Sequence, residues 1–261
     1  MNELPVISVV AQKGGVGKTT TAVNVAHRFA QGGLRVLLVD VDTQGHAGKF
    51  LGAQRGPGLT DAMMRYDQEM AYDRSFKPMV DCITPGVREG LDVLCNDPSM
   101  ASAEVLVRSD VGHERILSYR LQEVQDRYDL VVVDVAPTVT VSSTMALAAS
   151  TGIIVPVSPG TDPADTTGEL LARLRAIQRG LGKAPKLLGF FPTIFDGREK
   201  IAKELRKWLD VQDPVGPTIR KNVQLAEANI SNQSIWEYAP KSSGADDYRR
   251  LTDWLAERIY E

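Results

Sequence analysis

Six short apolar runs punctuate the chain: VISVVA (6–11), RVLLVDV (35–41), LDVLC (91–95), DLVVVDV (129–135), GIIVPV (152–157) and KLLGFFPTI (186–194). They are continuously apolar rather than alternating, the pattern of strands covered on both faces. The stretches between them have helical spacing and predict helices over 18–31, 113–126, 142–149, 163–180 and 197–209. Strand and helix in alternation imply a mostly parallel, twisted α/β sheet with right-handed crossovers and helices on both faces. Ligands of such a sheet sit beyond the carboxyl ends of its strands. The stretch 53–90 is irregular, rich in charge and proline, and reads as an excursion with one or two short helices. No repeat, low-complexity tract or Gly/Ser linker divides the chain, so residues 1–261 are expected to form one domain.

The last predicted helix, 244–260, carries Tyr248, Leu251, Trp254, Leu255 and Ile259 at helical spacing. Its acids Asp246, Asp247, Asp253 and Glu257 outnumber Arg249, Arg250 and Arg258. An interfacial membrane helix is basic on its polar face, so this one is expected to pack on the sheet. No apolar run is long enough to span a membrane, and MNELPVISVV lacks the basic flank and cleavage site of a signal peptide. A cytoplasmic protein without a membrane partner is the expectation. Cys82 and Cys95 stand thirteen positions apart with no CxxC and no histidine cluster, and read as reduced thiols. A net charge of -3 argues against a protein that coats nucleic acid over its whole surface, but leaves room for a local basic patch.

The first apolar run ends in AQKGGVGKTTTA (11–22). A strand, a glycine-rich turn and a helix start make a phosphate cradle: glycines let backbone N–H groups turn inward, and the helix terminus adds partial positive charge. The fold is therefore read as a single P-loop NTPase domain. Gly14, Gly15, Val16 and Gly17 form the cradle, Lys18 reaches the β and γ phosphates, and the Thr19 hydroxyl ligates magnesium. Gln12 occupies the place of the first glycine in the strict motif. Asp40 and Asp42 end the second apolar run and Asp134 ends the fourth, where a carboxylate near the core needs a partner or a metal. Asp134 fits the acid of a magnesium shell. Asp40 and Asp42 point to opposite faces unless the strand has already ended, so at least one is expected to face the nucleotide.

KGGVGKTTTAVNVA, VLLVDVDTQGHA, YDLVVVDVAP, PTIFDGR and KNVQLAEANISNQSIWEYAPKSSGADDYRRL occur in this order over nearly the whole chain. Together they resemble the ParA family of partition and positioning ATPases, within the deviant Walker A group that includes MinD, and specifically the short type without an amino-terminal DNA-binding extension. The resemblance implies ATP and Mg2+ as cofactors and a homodimer with ATP sandwiched between subunits. Lys13 then corresponds to the signature lysine that enters the partner's site, where a second cation stabilises transition-state charge as an arginine finger does. It also implies that Asp42 positions or activates the attacking water, that Asp40 supports the magnesium site, and that Thr20 touches the α phosphate. Thr43, Ala136 and Gly160 depart from the family pattern, where proline, proline and an acid are usual.

The resemblance further implies non-specific DNA binding through the carboxyl-terminal half, and a ParB-like or other cargo adaptor that stimulates hydrolysis. The cargo would be a plasmid, a chromosome origin or a protein assembly, and the protein would be nucleoid-associated. Residues 183–221 hold nine Lys or Arg against five Asp or Glu, and Arg198, Lys200, Lys203 and Lys221 are the candidate DNA contacts. Gln224 stands where the family often has arginine. A MinD-like membrane-cycling ATPase is the alternative, but the basic amphipathic terminal helix is missing. A metal-cluster reductase would need a bridging cysteine pair, and neither Cys82 nor Cys95 lies in such a motif. A small-molecule ligase fits the carboxyl-terminal motifs less well.

Overall fold

The computed structural model describes residues 3–53, 56–67, 74–160 and 163–260. Parts of the expected 53–90 excursion therefore lie outside the described residues. Among the described residues nine strands occur in chain order: β1 (Val6–Val9), β2 (Val36–Asp40), β3 (Arg65–Asp67), β4 (Arg74–Phe76), β5 (Thr84–Arg88), β6 (Leu91–Leu94), β7 (Leu130–Asp134), β8 (Gly152–Val157) and β9 (Lys186–Pro192). Seven form one sheet in the order β5-β6-β2-β7-β1-β8-β9, and β3 pairs with β4 in a separate antiparallel ribbon. All pairings in the main sheet are parallel except that of β5 with β6 at the edge.

The helices are α1 (Lys18–Gln31), α2 (His46–Phe50), α3 (Leu59–Met63), α4 (Met100–Val107), α5 (Ile116–Gln122), α6 (Val141–Ala149), α7 (Pro163–Leu181), α8 (Lys200–Leu209), α9 (Val223–Ile230), α10 (Ile235–Tyr238) and α11 (Ser243–Ile259). The central strands sort their side chains by strand period two. Leu130 and Val132 of β7 join a core with α1, α2, α10 and α11, whereas Val131 and Val133 join a second core with α3 to α8. The continuous apolar runs follow from this two-sided burial.

The expected helix over 113–126 is divided: α5 is flanked by 3-10 turns at His113–Arg115 and Gln125–Arg127. The 53–90 excursion contains α3 and a 3-10 turn at Met79–Cys82, and also the ribbon and β5. α11 packs as expected, with Tyr248, Leu251 and Leu255 fully buried. No described helix is long and apolar enough to cross a membrane.

Candidate nucleotide site

β1 lies between β7 and β8, so the loop that follows it emerges at the middle of the sheet's carboxyl edge. Gly15 (φ 76°) and Gly17 (φ 86°) take the left-handed backbone that only glycine adopts at no cost. A Cβ placed on Gly14, Gly15 or Gly17 would meet no atom within 4 Å, so the loop faces open space. Gly17 caps α1 without a side-chain hydrogen bond, leaving the first N–H groups of α1 for a ligand. On the far side of the loop, Val16 is buried and its carbonyl accepts a 2.8 Å bond from the Thr193 hydroxyl, which holds the turn on β9's end.

Both lysines are positioned. Lys18 is buried, and its Nζ donates to the Lys13 carbonyl at 3.0 Å. Burial lowers its pKa, and the nearby carboxylates of Asp134 and Asp42 act in the opposite sense. Lys13 is exposed, and its Nζ donates to the Gly160 carbonyl at 2.8 Å. Gly160 therefore contributes a backbone oxygen, from a left-handed conformation (φ 81°) that favours glycine.

The three acids separate into different roles. Asp40 and Asp134 are register partners at the ends of β2 and β7, and both are buried. Burial pushes both carboxyl groups above the usual carboxylate range. Asp40 Oδ2 accepts the Ala47 (2.8 Å) and Gly48 (3.3 Å) N–H groups, and Oδ1 accepts the Asp42 N–H at 3.1 Å. Asp40, expected to support the magnesium site, ends β2 with its carboxylate accepting the backbone N–H groups of the Asp42 loop and α2, beside Asp134. Neither oxygen of Asp134 has a hydrogen-bond partner of ordinary geometry, although the Thr19 hydroxyl and Lys18 ammonium lie near enough to favour its charged form. Buried, unpartnered carboxylate oxygens beside a threonine hydroxyl fit a hard cation of the magnesium type, which keeps several waters and takes few protein ligands. Among the described residues no group of three or more His, Cys, Asp or Glu could hold a metal alone. Asp42 faces the cavity, and its Oδ1 accepts the Gln44 N–H at 2.9 Å.

The cavity measures about 750 Å³. One wall is the phosphate loop with Lys18, Thr19, Thr20, Asp42 and Pro137. The other is formed by Ile194, Ile219, Asn222, Leu225, Asn229 and Tyr248. This second wall was not identified from the sequence, although α9 and Tyr248 lie within the carboxyl-terminal stretch that carried the family resemblance. Among the four candidate DNA contacts, Lys221 borders the cavity and lies 3.6 Å from Glu199. Arg198 is wide open to solvent but engaged at 2.6 Å and 2.9 Å by Asp196. Lys200 and Lys203 are exposed on α8.

Comparison with known proteins agrees with this geometry. Residues 4–186 match the AAA_31 family, described as an AAA domain. The chain is 34% identical over 258 residues to the chromosome-partitioning ATPase Soj of Thermus thermophilus, covering 98% of this chain and 96% of that protein. The chain belongs to the ParA family of ATPases. Among solved structures, cobyrinic acid a,c-diamide synthase from Mycobacterium smegmatis, with bound ATP analogue and magnesium, superposes with a TM-score of 0.81 at 25% identity, over 99% of this chain and 97% of that one. The septum site-determining protein MinD from Pyrococcus horikoshii, complexed with Mg-ADP, gives a TM-score of 0.77 at 23% identity over 98% of both chains, a likeness of fold. In this ParA-family chain, the free N–H groups of the loop, Lys18 and the orphaned Asp134 oxygens are the parts suited to a nucleotide and its cation.

Proposed function

We propose that this protein is a partition ATPase that hydrolyses ATP with magnesium, dimerises around the nucleotide, and holds non-specific DNA until a cargo-bound adaptor stimulates hydrolysis. The observation that supports it most is the division of labour between the lysines: Lys18 is buried at the phosphate loop while Lys13 is exposed at its rim. A cation at the rim would serve a neighbouring subunit's nucleotide. Lys18, Thr20 and the loop N–H groups would hold the phosphates, while Thr19 and Asp134 would hold the magnesium shell. Magnesium supplies charge neutralisation across the phosphates. Asp42, exposed to the cavity and tethered through Gln44 N–H, would orient the attacking water.

The DNA surface would be the basic face of α8, doubled by the dimer. Retention of the protein on DNA, measured with ATP, with ADP and without nucleotide over a range of salt, tests this reading. ATP-dependent, salt-sensitive retention is expected. Equal retention in all three states, or none in any, contradicts the DNA part while leaving hydrolysis to be assayed separately.

A further inference from the structure

Beyond Lys18, α1 carries three further buried polar residues at intervals of three, Thr21, Asn24 and His27, at 0%, 0% and 6% exposure. The spacing puts them on one face of the helix, and each bonds to the carboxyl-terminal segment. The Thr21 hydroxyl meets the Tyr248 hydroxyl at 3.0 Å. Asn24 Oδ1 accepts the Ile235 N–H at 2.8 Å, and the Asn24 carbonyl accepts the Trp236 indole N–H at 2.9 Å. His27 Nδ1 lies 2.8 Å from the Ser234 hydroxyl. Asn24 also donates from Nδ2 to the Thr20 carbonyl at 2.7 Å, which ties the stripe to a residue lining the cavity.

The opposite wall needs such support. α9 supplies Asn222 as its cap, with Leu225 and Asn229 toward the cavity, yet Ala228 is its one fully buried residue, and Val223 and Ile230 are exposed. Its own packing is slight: besides Ala228, Leu225 is partly buried against the core. It inherits its position from α10, against which it packs, and from the start of α11, where a Cβ on Gly244 would lie 3.2 Å from Leu225. Both neighbours are fastened to α1 by the stripe. An apolar α1 face would bury as much area without fixing a register, whereas satisfied buried hydrogen bonds specify one arrangement.

We propose that Thr21, Asn24 and His27, through Tyr248, Ile235, Trp236 and Ser234, are positioning residues that register the α9 wall against the phosphate loop and so set affinity for the base and sugar of the nucleotide. The phosphate loop precedes α1, and the bond from Asn24 to the Thr20 carbonyl lies within α1, so the phosphate contacts do not depend on the bonds to α10 and α11. The inference rests on the ATPase reading above.

The test is equilibrium binding of ATP, ADP and inorganic tripolyphosphate to the full chain and to Thr21→Val and Trp236→Phe. The first is close to isosteric; the second keeps an aromatic ring while losing the indole donor. Thermal unfolding establishes that each variant is folded, and Trp236→Phe carries the test if Thr21→Val is not. Loss of one hydrogen bond's worth of registration weakens ATP and ADP binding about fivefold to tenfold. Tripolyphosphate affinity and kcat at saturating ATP then stay within about twofold of wild type, since phosphate contacts and chemistry are untouched. Unchanged ATP affinity in a folded variant overturns the inference, as does a parallel loss of tripolyphosphate affinity. A wild-type protein that binds tripolyphosphate but not ATP overturns the ATPase reading itself, and the inference with it.

Discussion

The Lys13 ammonium rests on the Gly160 carbonyl, 2.8 Å away and 147 positions along the chain. The Lys13 carbonyl in turn accepts the Lys18 ammonium at 3.0 Å. Lys18 thus holds the backbone of the residue whose side chain is tethered elsewhere, and drawing Lys18 toward phosphate removes that hold. Because the tether involves one hydrogen bond at an exposed site, it costs only about 1 kcal/mol to release. Lys13→Gln is therefore expected to leave ATP affinity within about threefold of wild type while lowering kcat about 10³-fold, at the lower end of finger effects. Binding titrations and steady-state assays on the same preparation separate the two effects.

Asp134 is buried beside Asp40 with neither oxygen hydrogen-bonded, and its pKa is raised chiefly by burial. A raised carboxyl pKa means that the folded state holds the proton more tightly than the unfolded state, so stability falls as pH rises from about 4 through the folded pKa. At neutral pH the acid opposes folding unless a cation compensates it. Asp134→Asn is expected to stabilise the nucleotide-free protein by about 1–3 kcal/mol, seen as a higher Tm, while removing the increase in Tm that MgATP gives the wild type.

His27 gives the opposite dependence. Its pKa is lowered by burial, with Glu237 raising it and Arg88 lowering it. The unfolded chain therefore binds a proton that the folded one resists. Stability from this group is complete above about pH 6.5 and is lost as pH falls from there to the folded pKa. Denaturation midpoints across pH 5 to 8 are expected to decline below about 6.5, and His27→Gln is expected to flatten that limb.

In the proposed DNA surface, Arg198 and α8 would contribute unequally. The Arg198 guanidinium is held by Asp196, whose carboxyl pKa is driven down to about 2 by the side-chain bond with it. Among the described residues, Lys200 and Lys203 have no ion-pair partner and sit one turn apart on α8. Lys200→Gln and Lys203→Gln together are expected to reduce the log-log salt slope by about 1.8, because each phosphate left without its cation takes away about 0.9. Arg198→Gln should change the slope by less than about 0.9.

The sheet was legible because its central strands are buried on both faces and announce themselves as apolar runs. β5 was not: TPGVR places Pro85 and Gly86 in a short edge strand, where an unpaired side tolerates both. α4 was also missed, because Val105 and Leu106 are exposed and blur its apolar face. At the site, the loop and Asp42 were legible from residue type and spacing. The tether of Lys13 was not, because Gly160 offers a backbone atom. The backbone partners of Asp40 were not legible, because its N–H donors come from Asp42, Ala47 and Gly48 in the loop and α2 that follow. The stripe on α1 reads in sequence as three unremarkable polar residues until the carboxyl-terminal segment folds over it.

The central claim, that Lys13 completes the site of a second subunit, is tested most directly by mixing two inactive variants. Lys13→Gln and Asp42→Ala are combined in equal amounts before ATP is added, and the ATPase rate is measured. If Lys13 acts across a dimer, each mixed dimer contains one site with Asp42 of its own subunit and Lys13 from the other. Activity then returns to about one quarter of wild type, since about half the dimers are mixed and one of their two sites is complete. A mixture no more active than its separate components would contradict the account.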